Sequence, residues 1–93
     1  MRTIKRTTQF KRDYKREKSG RHRALLDDAL LTVINLLVTD KPLPIRNHDH
    51  PLTGEWKDYR DCHIKPDLVL IYSKPDKVTL ELVRLGSHSE LGL

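Results

Sequence analysis

The chain has 93 residues with a single cysteine, a hydrophobic fraction of 37% and a formal net charge of +5 at neutral pH. This length supports one modest core, so residues 1–93 are predicted to form a single domain. One cysteine excludes an internal disulfide, and the sequence shows neither an apolar signal segment nor a run long enough to span a membrane. We therefore expect a cytoplasmic protein that has no membrane partner.

Positive charge is concentrated at the N-terminal end of the chain. Residues 1–23 contain ten Lys and Arg against two acidic residues, a net charge of +8, whereas residues 24–93 carry a net charge of −3. A basic segment joined to a near-neutral body is typical of proteins that bind a phosphate backbone, although a solvated helix face explains such a run about equally well. The candidate phosphate-binding residues in this segment are Lys11, Arg12, Lys15 and Arg16.

The N-terminal half is predicted to form a strand followed by a helical hairpin. Residues 2–7 are basic and rich in β-branched side chains, which suggests an edge strand. Thr7 or Thr8 then caps a helix that runs to Lys18. Residues 22–38 follow as a second helix, because apolar side chains recur along one of its faces.

The C-terminal half is predicted to form an antiparallel meander. Pro42 and the proline two residues later end the second helix, and a loop continues to Gly54. Residues 55–64, 68–72 and 78–85 then have the character of strands, joined by short turns that contain proline. The element order is therefore β-α-α-β-β-β, an α+β fold with an antiparallel meander and a helical hairpin packed on one sheet face.

Three histidines and one aspartate fall at positions that this topology brings together. His63 closes the first meander strand, and Asp67 opens the second. The third strand runs parallel to the first, so His88 at its end should lie at the same edge, while His50 precedes the meander in a proline-stiffened loop. Imidazoles titrate near neutral pH, so several of them beside a carboxylate suit proton transfer.

The chemistry that fits these groups on a basic protein is RNA cleavage by internal attack of the 2′-hydroxyl. A base takes the 2′-hydroxyl proton, an acid protonates the departing 5′-oxygen, and cations stabilise the charged phosphorane. The reaction needs no cofactor and no metal. Candidate cations outside the basic segment are Lys57, Arg60, Lys65 and Arg84.

Several of these residues have simpler interpretations. A surface histidine without a function is the common case, and His48 is interpreted in this way. Trp56 and Tyr59 are expected to pack on the sheet rather than to stack on bases. Cys62 is expected to be a small buried side chain. A zinc site built from Cys62 and neighbouring histidines is conceivable, but the spacings match no common structural zinc pattern.

Three stretches of the chain resemble a known family. Residues 50–67 read HPLTGEWKDYRDCHIKPD, and they are followed by LIY at residues 70–72 and by RLGSH at residues 84–88. Together with the basic helical hairpin, they resemble the YafQ-type branch of the RelE/ParE toxin superfamily over nearly the whole chain. The chain departs from that pattern at Leu68, where such toxins can carry tryptophan, and in having no aromatic residue near its C-terminus.

The resemblance implies the toxin half of a bacterial type II toxin–antitoxin module with a microbial-ribonuclease-like fold. Such toxins cut messenger RNA in the ribosomal A site without a metal, and a cognate antitoxin neutralises them. Operator DNA would be a partner only through the antitoxin complex. The positions that match the family's catalytic residues are His50, His63, Asp67 and His88.

The resemblance also suggests a role for each of these residues. His88 would act as the general acid, and Asp67 and His50 would share the base function. His63 would orient Asp67 or stabilise the charged phosphate. Residues that support these groups, bind phosphate or hold the loops would be Asp61, Arg60 and Arg84.

Two other functions remain open from the sequence. A toxin-derived module could bind RNA or an antitoxin without cutting, and act with the antitoxin in autorepression. A gyrase-directed toxin belongs to the same superfamily, but such toxins lack this histidine set. The retained histidines favour the ribonuclease, and the missing C-terminal aromatic residue favours the binding module.

Overall fold

The computed structural model describes residues 1–20 and 22–93 and contains one mixed sheet of five strands. The strands are β1 (Thr3–Arg6), β2 (His50–Pro51), β3 (Arg60–Lys65), β4 (Leu68–Ser73) and β5 (Thr79–Gly86). Their order across the sheet is β1-β5-β4-β3-β2, in which β1 runs parallel to β5 and the other neighbouring pairs are antiparallel. The helices are α1 (Thr8–Lys18), α2 (Leu26–Val38) and α3 (His88–Leu91).

The predicted N-terminal elements are confirmed, with one shifted boundary. β1 lies at the edge of the sheet, and the Thr7 hydroxyl caps α1 by accepting a hydrogen bond from the backbone N–H of Phe10. α2 begins at Leu26 rather than at His22, because Leu25 adopts a left-handed backbone conformation, with a φ of 65°, that a helix cannot contain.

The second half of the chain differs from the prediction in three places. The strand predicted over residues 55–64 is wrong at its start, because Gly54–Trp56 forms a 3-10 turn and β3 begins at Arg60. The short strand β2 and the C-terminal helix α3 were also not predicted, so the observed order is β-α-α-β-β-β-β-α. The turn is stabilised by the ring of Trp56, which packs edge-on against Tyr59 instead of extending along the sheet.

Each face of the sheet carries its own apolar cluster. On one face, α1 packs on β5 and α2 packs on β3, so the helical hairpin lies on one side of the sheet as predicted. On the other face, Val69, Ile71 and Val83 are covered by Trp56 and by Leu91 of α3. The helix-side cluster includes Leu26, Leu30, Val33, Leu37, Leu70, Leu80 and Leu82. None of the helices in the described part of the chain is long and apolar enough to cross a membrane.

Candidate active site

The order of the strands brings His63, Asp67 and His88 to one edge of the sheet. Val69 of β4 pairs with His63 on one side and with Gly86 on the other, and His88 begins α3 two residues after Gly86. The ring centroids of His63 and His88 lie 5.0 Å apart, and His88 Nδ1 lies 3.9 Å from Asp67 Oδ1. The three residues therefore meet where the meander topology predicted.

His50 reaches the same cluster from β2. This strand pairs with β3 so that His50 lies opposite Asp61, and His50 Nε2 lies 3.0 Å from Asp61 Oδ1. The other ring nitrogen, Nδ1, lies 2.6 Å from the carbonyl oxygen of His48. Since a carbonyl oxygen only accepts, Nδ1 carries the proton in that contact. Both nitrogens of His50 thus face protein oxygen atoms, and its ring is held in one orientation.

Asp61 is buried beneath the histidines, with 2% of its surface exposed. His50 Nε2 is close but is not aligned for a hydrogen bond, and Asp61 Oδ1 has no hydrogen-bond partner within residues 1–20 and 22–93. Burial raises the pKa of the Asp61 carboxyl, and positive charge on His50, His63 or His88 opposes that shift. The buried Asp61 carboxyl therefore lies within electrostatic reach of all three histidines.

The environment of His63 favours its neutral imidazole. Burial lowers the pKa of His63 below its usual value, and positive charge on His88 and His48 lowers it further, while Asp61 acts in the opposite direction. A neutral imidazole has a ring nitrogen with a free lone pair that accepts a proton. His63 is therefore more readily neutral at a given pH than an imidazole in water.

His48 also belongs to this cluster, although the sequence interpretation assigned it no function. Its ring centroid lies 5.0 Å from that of His63, so His48, His63 and His88 form a row of three imidazoles. The Asn47 side chain donates a hydrogen bond of 2.6 Å to the carbonyl oxygen of His63 and ties this loop to β3. The sequence signal that could have identified His48 is its position two residues before His50. The left-handed backbone conformation at His48 could not be predicted, because it is a feature of the folded loop.

A cleft of about 560 Å³ opens beside the histidines. His50, Asp61 and His88 line its polar side, and Trp56 and Leu93 contribute apolar surface. A volume in this range, with apolar walls and a few convergent polar groups, is typical of small-molecule sites. The cleft therefore has room for a group the size of one nucleotide.

The candidate cations near the cleft differ in how far they are already paired. Arg60 Nε lies 3.2 Å from Asp49 Oδ1, and Tyr72 donates a 2.6 Å hydrogen bond to the same oxygen. Arg60 therefore holds the loop that precedes β2. Lys57 is exposed, and Lys65 lines a hollow of about 360 Å³ beside the imidazole row. Lys65 therefore lies beside the candidate site.

Arg84 and Arg16 instead pair with a buried carboxylate. Asp13 of α1 is fully buried, and its carboxylate accepts hydrogen bonds from Arg84 Nε at 2.7 Å and from Arg16 Nη1 at 3.0 Å. The backbone N–H of Leu85 adds a third at 3.0 Å. Burial alone would raise the pKa of Asp13, but the hydrogen bonds from Arg84 and Leu85 outweigh it and the pKa is lowered. From the sequence, Asp13 was counted only as an acidic residue of the basic segment, and its role as the buried acceptor for these groups was not predicted.

One of the four candidate phosphate-binding residues of the basic helix is held in ion pairs. Lys11, Arg12, Lys15 and Arg16 are all exposed along α1, but Arg16 is also ion-paired with carboxylates of the protein. A guanidinium already held by carboxylates is less available to a polyanion than a cation without such contacts. Arg16 is therefore the weakest phosphate-binding candidate of the four.

Cys62 lies fully buried in the helix-side cluster, and burial raises the pKa of its thiol. It is a packing residue, as predicted. Within residues 1–20 and 22–93, no group of three or more His, Cys, Asp or Glu side chains is arranged to hold a metal ion.

Comparison with known proteins identifies the class to which this chain belongs. A family model described as the bacterial toxin of type II toxin–antitoxin system, YafQ, matches residues 2–92. The mRNA interferase toxin YafQ of Escherichia coli strain K12 is 40% identical to this chain over 91 residues, which cover 97% of this chain and 95% of that protein.

Solved structures agree with this match. A crystal structure of a copper-bound mutant toxin from Helicobacter pylori has a TM-score of 0.87 and 38% identity, covering 98% of this chain and 99% of that one. The crystal structure of the E. coli DinJ-YafQ complex contains a chain with a TM-score of 0.83 and 38% identity, covering 98% of each chain. The protein is therefore a toxin of a bacterial type II toxin–antitoxin system. Within that class, the chain belongs to the YafQ family.

Proposed function

We propose that this protein is an endoribonuclease that cleaves messenger RNA by internal attack of the 2′-hydroxyl. The observation that carries the proposal is the cluster of His63, Asp67 and His88, whose neighbouring groups lie 3.9 Å and 5.0 Å apart. Groups of this kind, held this close, suit the transfer of a proton to and from one reacting phosphate. The E. coli relative, which is named an mRNA interferase, supports the same activity.

In the proposed reaction, the 2′-oxygen attacks the adjacent phosphorus, and the bond from phosphorus to the 5′-oxygen breaks. The 2′-hydroxyl proton passes to a base on the protein, and an acid on the protein protonates the departing 5′-oxygen. The products are a 2′,3′-cyclic phosphate and a free 5′-hydroxyl. The protein has to supply one proton acceptor, one proton donor and positive charge near the phosphate.

The geometry supports an assignment of these roles. Asp67 Oδ1 lies 3.9 Å from Nδ1 of His88, so its negative charge favours the protonated ring, and Nε2 is left to donate a proton to the 5′-oxygen. His63, whose environment favours the neutral form, is suited to accept the 2′-hydroxyl proton, with Asp67 as the second candidate base. His50 has both nitrogens against protein oxygens and is better suited to stabilise the charged phosphate. This assignment moves part of the base function from His50 to His63.

We propose that the reaction takes place in the ribosomal A site, where a small basic protein contacts both the RNA of the ribosome and its messenger RNA substrate. The exposed charges of Lys11, Arg12 and Lys15 on α1 support this placement, because a phosphate-rich surface attracts them. A cognate antitoxin with an acidic segment would cover the same helix. Operator DNA would be contacted only through that complex. The E. coli toxin YafQ is seen in complex with DinJ, which supports a protein partner of this kind.

The second candidate is a module that binds RNA or antitoxin without cutting. It is favoured by one feature, the segment 89–93, which contains no aromatic residue to hold a base. Induction in a bacterial host separates the two functions when growth is followed and transcript ends are mapped. New transcript ends and growth arrest, both lost in His88→Ala, support the ribonuclease; growth arrest without new ends supports the binding module.

Cleavage should survive removal of metal ions, because imidazole and carboxylate groups carry the protons. The purified protein would be treated with EDTA, dialysed, and added to magnesium-buffered ribosomes programmed with messenger RNA, so that the ribosomes stay intact. We expect the same cut sites and a rate within about twofold of the untreated protein, since no group in the proposed proton transfer needs a metal. Activity lost after chelation and restored by zinc or copper would overturn metal independence.

The affinity of the protein for RNA should fall as the salt concentration rises, because the exposed cations of α1 contribute to binding. Each phosphate contact with single-stranded RNA contributes about −0.7 to the slope of log affinity against log salt concentration. Replacing Lys11, Arg12 and Lys15 together by glutamine should therefore make the slope less negative by about 2. Lys77→Gln, an exposed lysine in the β4–β5 turn, is the matched control. An unchanged slope in the triple variant would show that α1 is only a solvated face.

A further inference from the structure

Arg16 connects three elements of the fold through one guanidinium group. Its Nη1 lies 3.0 Å from Asp13 on the same helix, and its Nη2 donates a 2.8 Å hydrogen bond to the carbonyl oxygen of Leu85 at the end of β5. Its Nε lies 2.9 Å from Glu17 and 3.2 Å from Glu90 of α3. Every nitrogen of this side chain therefore already faces an oxygen atom of the protein.

The contact with Glu90 reaches the helix that carries His88. The Ser87 hydroxyl accepts from the backbone N–H of Glu90, and the Glu90 carboxylate accepts from the backbone N–H of Ser87 at 2.9 Å, which forms a capping box. His88 is the first residue of α3 and lies between these two groups in the chain. Its backbone position is therefore set by the cap that Arg16 contacts.

The backbone at Gly86, just before the capping box of α3, also lies close to Arg16. A Cβ atom added to Gly86 would lie 2.9 Å from Arg16 Nη2 and 3.2 Å from Glu90 Oε1. The absence of a side chain at this position is what lets the guanidinium enter between β5 and α3. Strand, helix and guanidinium thus form one packed unit immediately before His88.

We propose that Arg16 is a positioning residue for His88, which locks α3 to α1 and to the end of β5 and thereby holds the imidazole toward Asp67. Arg16 therefore does not act as a phosphate ligand with the exposed residues of α1. The kinetic part of this inference rests on the proposed ribonuclease function, because it requires His88 to act in cleavage. Its structural part does not, since the orientation of a ring is measurable without substrate.

The two interpretations of Arg16 predict opposite kinetic effects. A positioning residue raises the rate of the chemical step, since a displacement of about 1 Å in a catalytic group costs up to about 10²-fold in rate. Arg16→Ala should therefore lower kcat by about 10- to 100-fold with RNA affinity within about twofold of the wild type. Arg12→Ala, one turn earlier on the same helix, should instead weaken affinity.

A spectroscopic measurement tests the same contact without RNA. In Arg16→Ala, the ring proton signals of His88 should shift and broaden in the NMR spectrum. Ser89→Ala is the matched control, because Ser89 is exposed on α3 and its hydroxyl takes no part in these contacts. We expect its His88 signals to coincide with those of the wild type. If the wild type does not cleave RNA, the proposed function fails, while the NMR result still decides the position of His88.

Glu90→Gln gives a second variant that does not depend on the stability of Arg16→Ala. Glutamine keeps the capping box and removes the negative charge that faces Arg16. We expect the same direction of change in kcat and in the His88 signals, and a smaller effect when Arg16 is already alanine. The inference is overturned if His88 is undisturbed in both variants, or if Arg16→Ala weakens RNA binding and leaves kcat unchanged.

Discussion

Replacing His88 by alanine is expected to lower RNA cleavage by roughly 10²–10⁴-fold, which is the usual contribution of one general acid or base. In the proposed reaction this ring protonates the departing 5′-oxygen, and the Asp67 carboxylate 3.9 Å away favours its protonated form. Affinity for RNA or ribosomes should stay within a few-fold of the wild type, because the exposed lysines and arginines provide the main phosphate contacts. Asp67→Ala should show the same separation of rate from affinity.

Single-turnover cleavage and equilibrium binding measured on the same preparations check this expectation. Ser89→Ala, at the neighbouring position of α3, serves as the control and should cleave at the wild-type rate. The His88 side chain is partly exposed, so its truncation leaves the core intact and the variant should fold. Normal cleavage by His88→Ala would transfer the acid role to His50 or His63.

Replacing Asp13 by alanine is expected to lower the free energy of unfolding by about 3–5 kcal/mol, the usual cost of breaking a buried ion pair. The carboxylate is fully buried and accepts from Arg84, Arg16 and the backbone of Leu85. Its removal leaves the Arg84 guanidinium and a backbone N–H at the end of β5 without their acceptor. Urea denaturation of the wild type and of Asp13→Ala measures this difference in the free energy of unfolding.

The same residue has a consequence for acid stability. The pKa of Asp13 in the folded protein lies below its ordinary value of 3.8. A carboxyl whose pKa is depressed by folding adds stability above its unfolded pKa, and that stability is lost as the pH falls through the folded pKa. The difference in unfolding free energy between the wild type and Asp13→Ala should therefore be full at neutral pH and shrink below about pH 4.

Asp28→Ala controls for the loss of an acidic residue. Asp28 is exposed in the first turn of α2, so its replacement should cost less than about 1 kcal/mol through the helix dipole. A similar small loss for Asp13→Ala would show that the buried network is not a principal source of stability. The stability of this part of the fold would then have to be assigned to the surrounding apolar packing.

Features that depend on neighbours along the chain were accessible from the sequence. The apolar stripe of α2, the Thr7 cap of α1 and the β-branched run of β4 each arise from local propensity or from the period of one element. The meeting of His63 and His88 followed as well, because short turns leave an antiparallel meander few alternatives. The α+β class and the proximity of most residues in the candidate site were therefore predictable.

Tertiary structure decided which charges face solvent and which loop residues join the site. Asp13 and Arg84 are 71 positions apart, and Arg16 meets Glu90 only because α1 and α3 pack at the end of β5. In the sequence, Arg16 is indistinguishable from the exposed basic residues around it. His48 likewise joins the imidazole row through a left-handed backbone that the packed loop imposes. Periodicity is a local property, whereas the partner of a charged or loop side chain is chosen by contacts between distant segments, which exist only once the chain has folded.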